Sequence, residues 1–194
     1  MIKAVIFDFF GVFCPDITFA WFIKNYSDSP KELSRLQEIC DLSDQGKLNK
    51  YDFYNELSII TGLNKDEVIA GVEAEVLIDQ NVVGLVKTLR SNGILIACLS
   101  NGTHEWTLDI INRHGLSYLF DHIILSADIK MSKPSPEIYK YTLNQLGVDA
   151  AQALFIDDRL VNTVAAEKCG IISHTFTDSK HLIDFCRKQN IQKD

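Results

Sequence analysis

The chain has 194 residues, of which 46% are hydrophobic and 23% charged, so it can bury the core of an ordinary globular protein. Its formal net charge of −7 argues against nucleic acids and anionic membranes as general partners, because the overall field repels phosphate groups. The five cysteines form no CxxC pair, and Asp8 interrupts the apolar N-terminus before any plausible signal-peptide cleavage site. We therefore expect free thiols, a cytoplasmic location and no membrane-spanning segment.

The first predicted element is a buried strand over residues 2–7, which ends at an acidic residue. Beyond it, apolar side chains recur at helical spacing and clusters of turn residues divide them into segments. A helix over about residues 82–91 then leads back to apolar strands. The pattern predicts a helical cap over residues 14–82, inserted into a core domain made of residues 1–13 and 83–194.

From residue 94 onward, short and continuously apolar runs alternate with helical patterns. Such runs are typical of parallel strands that are covered on both faces. The helices between them begin near Thr103, Ser135 and Arg159 and end at glycines. The sequence therefore predicts an α/β fold with a doubly wound, Rossmann-like parallel sheet. Its remaining strands should cover residues 94–100, 122–126, 153–157 and 171–176.

Polar residues lie at or just beyond the ends of the predicted strands. Ligands of open parallel sheets bind beyond the carboxyl ends of the strands. A single carboxylate at a strand end is weak evidence, since it is more often a helix cap. Matching positions on several strands are much stronger evidence for a site. They are Asp8, Ser100 with Asn101 and Gly102, Lys133, and Asp157 with Asp158.

Four motifs in this order resemble the haloacid dehalogenase superfamily, which consists mostly of magnesium-dependent phosphohydrolases. They are DFFGV from residue 8, LSNG from residue 99, KPSPEIY from residue 133 and FIDDRLVN from residue 155. The helical insertion directly after the first motif is also typical of family members with an α-helical cap, sugar-1-phosphate phosphatases among them. The resemblance spans nearly the whole chain.

The resemblance implies a nucleophile and a metal site. Asp8 would attack phosphorus and form an aspartyl phosphate, which divides hydrolysis into two easier displacements. A cation is needed because the carboxylate and the phosphoryl group repel each other. Mg²⁺ prefers oxygen ligands, and the resemblance assigns them to Asp8, the backbone carbonyl of Phe10 and Asp158, with Asp157 in or near the coordination shell. Without a metal, the acidic pair would be read as the capped start of a helix.

The remaining assignments concern the phosphoryl group. Ser100 and the backbone N–H groups around Asn101 and Gly102 would bind phosphoryl oxygens at a helix N-terminus. Lys133 would neutralise charge on those oxygens and on the nucleophile. Asn162 would support the acidic pair, although a surface position on a helix fits its sequence context nearly as well.

Phe10 departs from the family pattern, because most of its phosphatases carry a second aspartate two residues after the nucleophile. That aspartate protonates the leaving oxygen and later activates water, and a phenylalanine can do neither. General acid–base catalysis typically contributes about 10²- to 10⁴-fold. We therefore expect either a preference for good leaving groups, such as anomeric or acyl phosphates, or a proton supplied by a cap residue or water.

Two other functions remain open at this point. A 2-haloacid dehalogenase also lacks the second aspartate, but Asp157 and Asp158 would have no evident task without a cation. A non-catalytic protein that binds phosphate or metal is the other alternative. Trp21, near the hinge of the cap, is a candidate for contact with the substrate. The sequence does not identify that substrate beyond a small phosphorylated metabolite, and it does not indicate an oligomeric state.

Overall fold

The computed structural model describes residues 1–191 and contains one five-stranded sheet in which every strand pair is parallel. The spatial order is β3-β2-β1-β4-β5, so the N-terminal strand lies at the centre. The predicted doubly wound parallel sheet is confirmed. The strands are β1 (Ala4–Phe7), β2 (Leu95–Ser100), β3 (His122–Leu125), β4 (Ala153–Asp157) and β5 (Ile172–Thr175).

Alternate residues of the central strand point to opposite faces of the sheet, as the two-residue period of a strand requires. Val5 and Phe7 belong to one buried cluster, together with side chains of the insertion. Ala4 and Ile6 belong to a second cluster on the other face. Both faces are therefore apolar, which explains why this strand reads as a continuous hydrophobic run.

Ten α-helices are present in the described part of the chain. Four lie between β1 and the helix that leads back to the sheet, namely α1 (Ile17–Asn25), α2 (Pro30–Asp44), α3 (Lys50–Thr61) and α4 (Lys65–Ala74). The remaining six are α5 (Gln80–Ser91), α6 (His104–Arg113), α7 (Ser126–Ile129), α8 (Pro136–Leu146), α9 (Leu160–Lys168) and α10 (Ser179–Lys188). No described helix has both the length and the apolar character needed to cross a membrane.

Polar caps start the helices of the insertion within the turn-residue clusters seen in the sequence. The Ser29 side chain accepts a hydrogen bond at the start of α2, and Asn49 does so at the start of α3. Asn64 and Glu67 form a reciprocal capping box at the start of α4. The helices then bury Phe22, Leu36, Phe53 and other apolar side chains in a core that is continuous with the sheet.

One local expectation needs correction. The edge strand β5 is not covered on both faces, since Ile172 is 42% exposed and the other three residues of the strand are only half-buried. Thr103 and Ser135 stand at the N-terminal ends of α6 and α8, but neither side chain accepts a capping hydrogen bond. The hydroxyl of Thr103 is thus not used to stabilise its own helix.

Candidate active site

Asp8 lies immediately after the central strand, between the ends of β2 and β4. Its backbone N–H donates to the carbonyl of Ile156 at 2.8 Å, which fixes the residue to the sheet. Its Oδ1 accepts hydrogen bonds from the Phe9 N–H at 2.7 Å and from Lys133 Nζ at 2.8 Å. Among the described residues Oδ2 has no partner, and Asp8 lines a cavity. One carboxylate oxygen is therefore oriented and the other is free to react or to bind a cation.

Lys133 is buried and joins two carboxylates. Its Nζ lies 2.8 Å from Asp8 Oδ1 and 2.8 Å from Asp157 Oδ2, and the residue is 4% exposed. Burial alone would lower the pKa of Lys133, but the two carboxylates outweigh it and raise the pKa well above its usual value. The Asn101 side chain holds the backbone of Lys133 through two hydrogen bonds of 2.8 and 2.9 Å. Asn101 is therefore a positioning residue for the lysine.

Both carboxylate oxygens of Asp157 accept hydrogen bonds within the protein. Oδ1 accepts from the Arg159 N–H and from Asn162 Nδ2, both at 2.9 Å. Oδ2 accepts from Lys133 Nζ at 2.8 Å and again from Asn162 Nδ2 at 3.0 Å. Burial raises the pKa of Asp157, but the lysine charge and these hydrogen bonds lower it further than burial raises it. These contacts orient Lys133, and the contact of Asp157 with a metal ion stays a prediction. Asn162, which was predicted to support the acidic pair, donates to Asp157.

Asp158, in contrast, is exposed and approaches the nucleophile. Ligand oxygens of Asp8, Asp157 and Asp158 lie within 4.8 Å of one another. Burial raises the pKa of the Asp8 carboxyl, and Lys133 opposes that effect only in part. Three carboxylates beside one ammonium leave two negative charges when all are ionised. A divalent cation would neutralise them, so the residues present fit a magnesium site.

Gly11 makes room for Asp158. Its φ is +87°, and a Cβ built on it would lie 2.3 Å from Asp158 Cγ. Any side chain at position 11 would therefore displace the carboxylate and strain the backbone. No role was predicted for this glycine, although its place in the DFFGV motif was an available signal.

Three buried hydroxyl groups follow β2, those of Ser100, Thr103 and Thr107. They have no hydrogen-bond partner among the described residues, and their relative exposures are 1%, 7% and 0%. A Cβ built on Gly102, which lines the cavity described below, would lie 3.8 Å from Ser100 Oγ and 2.9 Å from Thr107 Oγ1, so these two hydroxyls lie close to the site. The two threonines were not anticipated. The Gly102 N–H donates to Ser126 Oγ at 3.0 Å, so it is engaged within the protein rather than free for a phosphoryl oxygen.

A cavity of about 100 Å³ lies between the helical insertion and the acidic cluster. Phe10 lines it, and the ring rests edge-on against Phe9 with centroids 5.2 Å apart. Trp21 does not line it and is 4% exposed, buried where a Cβ on Gly71 would lie 2.1 Å from the indole Nε1. The suggested contact between Trp21 and substrate is therefore replaced by a packing role inside the insertion.

Three charged residues that the sequence analysis did not single out also line this cavity: Asp16, Asp44 and Arg159. Asp16 caps α1, and Arg159 directly follows the acidic pair. Burial raises the pKa of Asp16, and it raises the pKa of Asp44 to about 7. Asp44 ends α2 within a cluster of turn residues, where nothing in the local pattern distinguishes it from a solvent-exposed aspartate.

The parallel sheet, the lysine-linked carboxylates and the helical insertion define a hydrolase of the α/β class. The chain belongs to the haloacid dehalogenase-like hydrolase family, whose model matches residues 2–170. A sesquiterpene phosphatase of Aspergillus oryzae is 30% identical over 183 residues, which cover 91% of each chain. A (S)-2-haloacid dehalogenase of a Pseudomonas strain is 28% identical over 91 residues, 47% of this chain and 40% of the relative.

Solved structures agree on the fold. A haloacid dehalogenase family enzyme from Bacteroides thetaiotaomicron, determined in complex with magnesium and inorganic phosphate, superimposes with a TM-score of 0.74. It is 23% identical, and the match covers 94% of this chain and 99% of that one. The resemblance stated from the four motifs is confirmed at the level of family and fold.

Proposed function

We propose that the protein is a magnesium-dependent phosphomonoester hydrolase in which Asp8 forms an aspartyl phosphate. The observation that carries the proposal is the convergence of Asp8, Asp157 and Asp158 within 4.8 Å around one buried ammonium group. An anionic ester cannot approach this cluster unless its charge is neutralised. Full-length likeness to a sesquiterpene phosphatase supports a phosphatase rather than a dehalogenase.

The Asp8 carboxylate, Asp158 and the backbone carbonyl of Phe10 would hold the magnesium ion, with water completing its shell. When bound, the ion supplies charge neutralisation and a template for the phosphoryl oxygens. Asp157 keeps its four hydrogen bonds and fixes Lys133 in place. Asp158 would thus bind the ion, and Asp157 would orient Lys133.

The protein groups then stabilise the transferring phosphoryl group. Asp8 Oδ2 attacks phosphorus, while Lys133 holds Oδ1 and neutralises developing negative charge. The Ser100 hydroxyl can donate to a phosphoryl oxygen, which would satisfy a group that lacks a partner within the described residues. These donors are fixed before the substrate arrives, so little reorganisation is needed.

The rest of the cavity favours a phosphate ester whose alcohol portion is apolar and uncharged. Ile17, Phe19 and Phe53 line one side of it. Asp16 and Arg159 also line it and offset each other, so no net positive charge from this pair is left to attract a second anionic group on the substrate. A prenyl monophosphate fits these features better than a phosphorylated carboxylic acid does. The name of the sesquiterpene phosphatase relative agrees with this substrate class.

A substrate panel with and without Mg²⁺ tests the proposal. We expect hydrolysis of p-nitrophenyl phosphate that requires Mg²⁺, is lost with EDTA and is abolished in Asp8→Asn but retained in the surface control Asp66→Asn. The kcat/KM for farnesyl phosphate should exceed that for 2-phosphoglycolate at least about tenfold, because each buried CH₂ contributes roughly 0.8 kcal/mol. Trapping with beryllium fluoride should occupy Asp8.

Three results would overturn the proposal. Metal-independent release of chloride from 2-chloropropionate would favour the dehalogenase alternative. Binding of Mg²⁺ and phosphate without turnover of any ester would favour a non-catalytic binding protein. A preference for 2-phosphoglycolate would leave the reaction standing and contradict the proposed substrate class.

A further inference from the structure

The site lacks a proton donor next to its nucleophile. Phe10 presents an aromatic ring to the cavity two residues after Asp8, and a ring cannot protonate a leaving oxygen. Asp157 and Lys133 already form an ion pair with each other. Among the residues that line the cavity, the remaining carboxyl groups outside the candidate metal site are Asp16 and Asp44, both contributed by the helical insertion.

We infer that Asp44, at the C-terminal end of α2, is the general acid and base that Phe10 cannot be. The inference rests on the proposed phosphatase function. It assigns the proton transfer of the reaction to the insertion instead of the sheet.

Two hydrogen bonds fix the end of α2 to the loop that follows β2. The hydroxyl of Ser126 donates to the carbonyl of Asp44 at 2.6 Å, and the same oxygen accepts the N–H of Gly102 at 3.0 Å. Ser126 is fully buried. Just beyond, a Cβ on Gly46 would lie 3.1 Å from the carbonyl of Ala127, so α2 and α7 are in close contact. Asp44 is therefore held in a defined position beside the phosphate side of the site.

The carboxyl group of Asp44 is not occupied by another interaction. The described residues offer it no hydrogen bond or ion pair, and burial raises its pKa to about 7. Asp16 and Asp41 push this pKa upward, whereas Lys133 and Arg159 push it downward. Both protonation states are then populated near neutral pH, as a group that first donates and later accepts a proton requires.

Asp16 is the weaker candidate because it already has a structural task. Its Oδ1 accepts the N–H of Phe19 at 3.4 Å at the start of α1, and a capping hydrogen bond favours the ionised carboxylate. Its proximity to Asp158 and Arg159 also places it at the metal side of the cavity. Asp16→Asn is therefore a matched test of the alternative assignment.

With Asp44 as the only acid and base, protons and electron pairs balance over the two half-reactions. In the first, Asp8 Oδ2 bonds to phosphorus, the bond from phosphorus to the leaving oxygen breaks, and that oxygen takes the proton of the Asp44 carboxyl group. In the second, water attacks the aspartyl phosphate and gives a proton to the Asp44 carboxylate, while the electron pair of the breaking bond returns to Asp8. The Asp44 carboxyl group ends as it began.

Turnover by Asp44→Asn measured against leaving-group pKa tests the inference. With an alkyl phosphate, which needs protonation, we expect a loss of kcat/KM, which reports the first half-reaction only, of about 10²- to 10³-fold. With p-nitrophenyl phosphate, whose leaving group needs little help, the loss of kcat/KM should stay under about fivefold. The exposed Glu38→Gln variant on the same helix should match the wild type on both substrates.

A variant with an acid at position 10 distinguishes a catalytic role of Asp44 from a structural one. In the Asp44→Asn background, Phe10→Asp should recover alkyl phosphate turnover at least about tenfold, since an aspartate two residues after the nucleophile would supply the missing proton. A purely structural role of Asp44 predicts no such recovery. If Asp44→Asn does not fold, the wild type still gives an answer, because an enzyme with a working acid shows only a weak dependence of kcat/KM on leaving-group pKa.

Equal losses on both substrates, or a leaving-group-dependent loss in Asp16→Asn instead, would overturn the assignment while the wild type still hydrolyses phosphate esters. A steep leaving-group dependence in the wild type would do the same and would favour selectivity for good leaving groups. Absence of any hydrolysis by the wild type would instead reject the proposed function, so the two failures are distinguishable.

Discussion

Gly11 and Asp158 share one small volume, since a Cβ on the glycine would fall 2.3 Å from the Cγ of the aspartate. The φ of +87° at Gly11 is itself unfavourable for any other residue. Gly11→Ala should therefore destabilise the fold by about 1–3 kcal/mol and displace the carboxylate. Mg²⁺ titration followed by calorimetry should show affinity reduced about tenfold or more, since loss of one carboxylate ligand weakens a divalent site. Unchanged affinity would mean that Asp158 does not bind the ion.

Lys133→Met should be strongly destabilising because it removes the ammonium group and leaves Asp8 and Asp157 buried without a counter-charge. Breaking a buried ion pair by removing one partner typically costs about 3–5 kcal/mol. Urea unfolding in EDTA, which excludes any contribution from bound metal, measures the loss. The surface variant Lys140→Met serves as the control and should change stability by less than about 0.5 kcal/mol. A loss of similar size in both variants would contradict the ion-pair account.

Two glycines in helices should respond in opposite ways to alanine. A Cβ on Gly71 would lie 2.1 Å from the indole nitrogen of Trp21, whereas one on Gly84 would meet nothing within 4 Å. Gly84→Ala should stabilise the protein by about 0.5–1 kcal/mol through helix propensity. Gly71→Ala should destabilise it by about 1–3 kcal/mol through overpacking. Thermal melts of the two variants decide between these outcomes, and a stabilising Gly71→Ala would show that Trp21 is loosely packed.

His174 should make stability depend on pH below about 7.5. Its ring stacks on Phe185, its Nε2 is buried without a partner among the described residues, and burial lowers its pKa, with a further decrease from His181. The folded state therefore binds a proton less readily than the unfolded state, so stability decreases as the pH falls through the unfolded-state pKa of about 6.5.

Urea denaturation across this pH range should show a smaller decrease in His174→Phe than in the wild type. The exposed His114→Phe variant is the control and should retain the wild-type pH dependence. Identical pH profiles in all three proteins would exclude His174 as the source.

Much of the site could be predicted because it depends on local patterns at strand ends. The end of a buried strand is visible in the sequence, and parallel strands bring such ends together, so Asp8, Ser100 and Asp157 were expected to meet. Which carboxylate of the acidic pair would be free could not be predicted. That depends on the Asn162 and Arg159 donors, whose directions are set by the turn into α9.

The residues that the insertion contributes to the site could not be predicted from the sequence, for a different reason. Asp44 and Trp21 lie on helices whose apolar faces were visible, but the way these helices dock on the sheet is set by long-range packing. Ser126 binds Asp44 across 82 positions of sequence, and no local pattern signals such a contact. Trp21 was accordingly expected near the substrate, whereas tertiary packing buries it against Gly71.

The two hydrogen bonds of Ser126 link the helical insertion to the loop that follows β2, and this link affects the reaction cycle. Asp8 is anchored to the sheet, Asp44 lies at the end of a helix of the insertion, and one hydroxyl group joins the second to the loop beside the first. Catalysis then requires the insertion to be docked on the sheet, and neither part is sufficient by itself. A substitution remote from every reacting atom, placed where the insertion meets the sheet, would slow proton transfer and leave the affinity for inorganic phosphate intact.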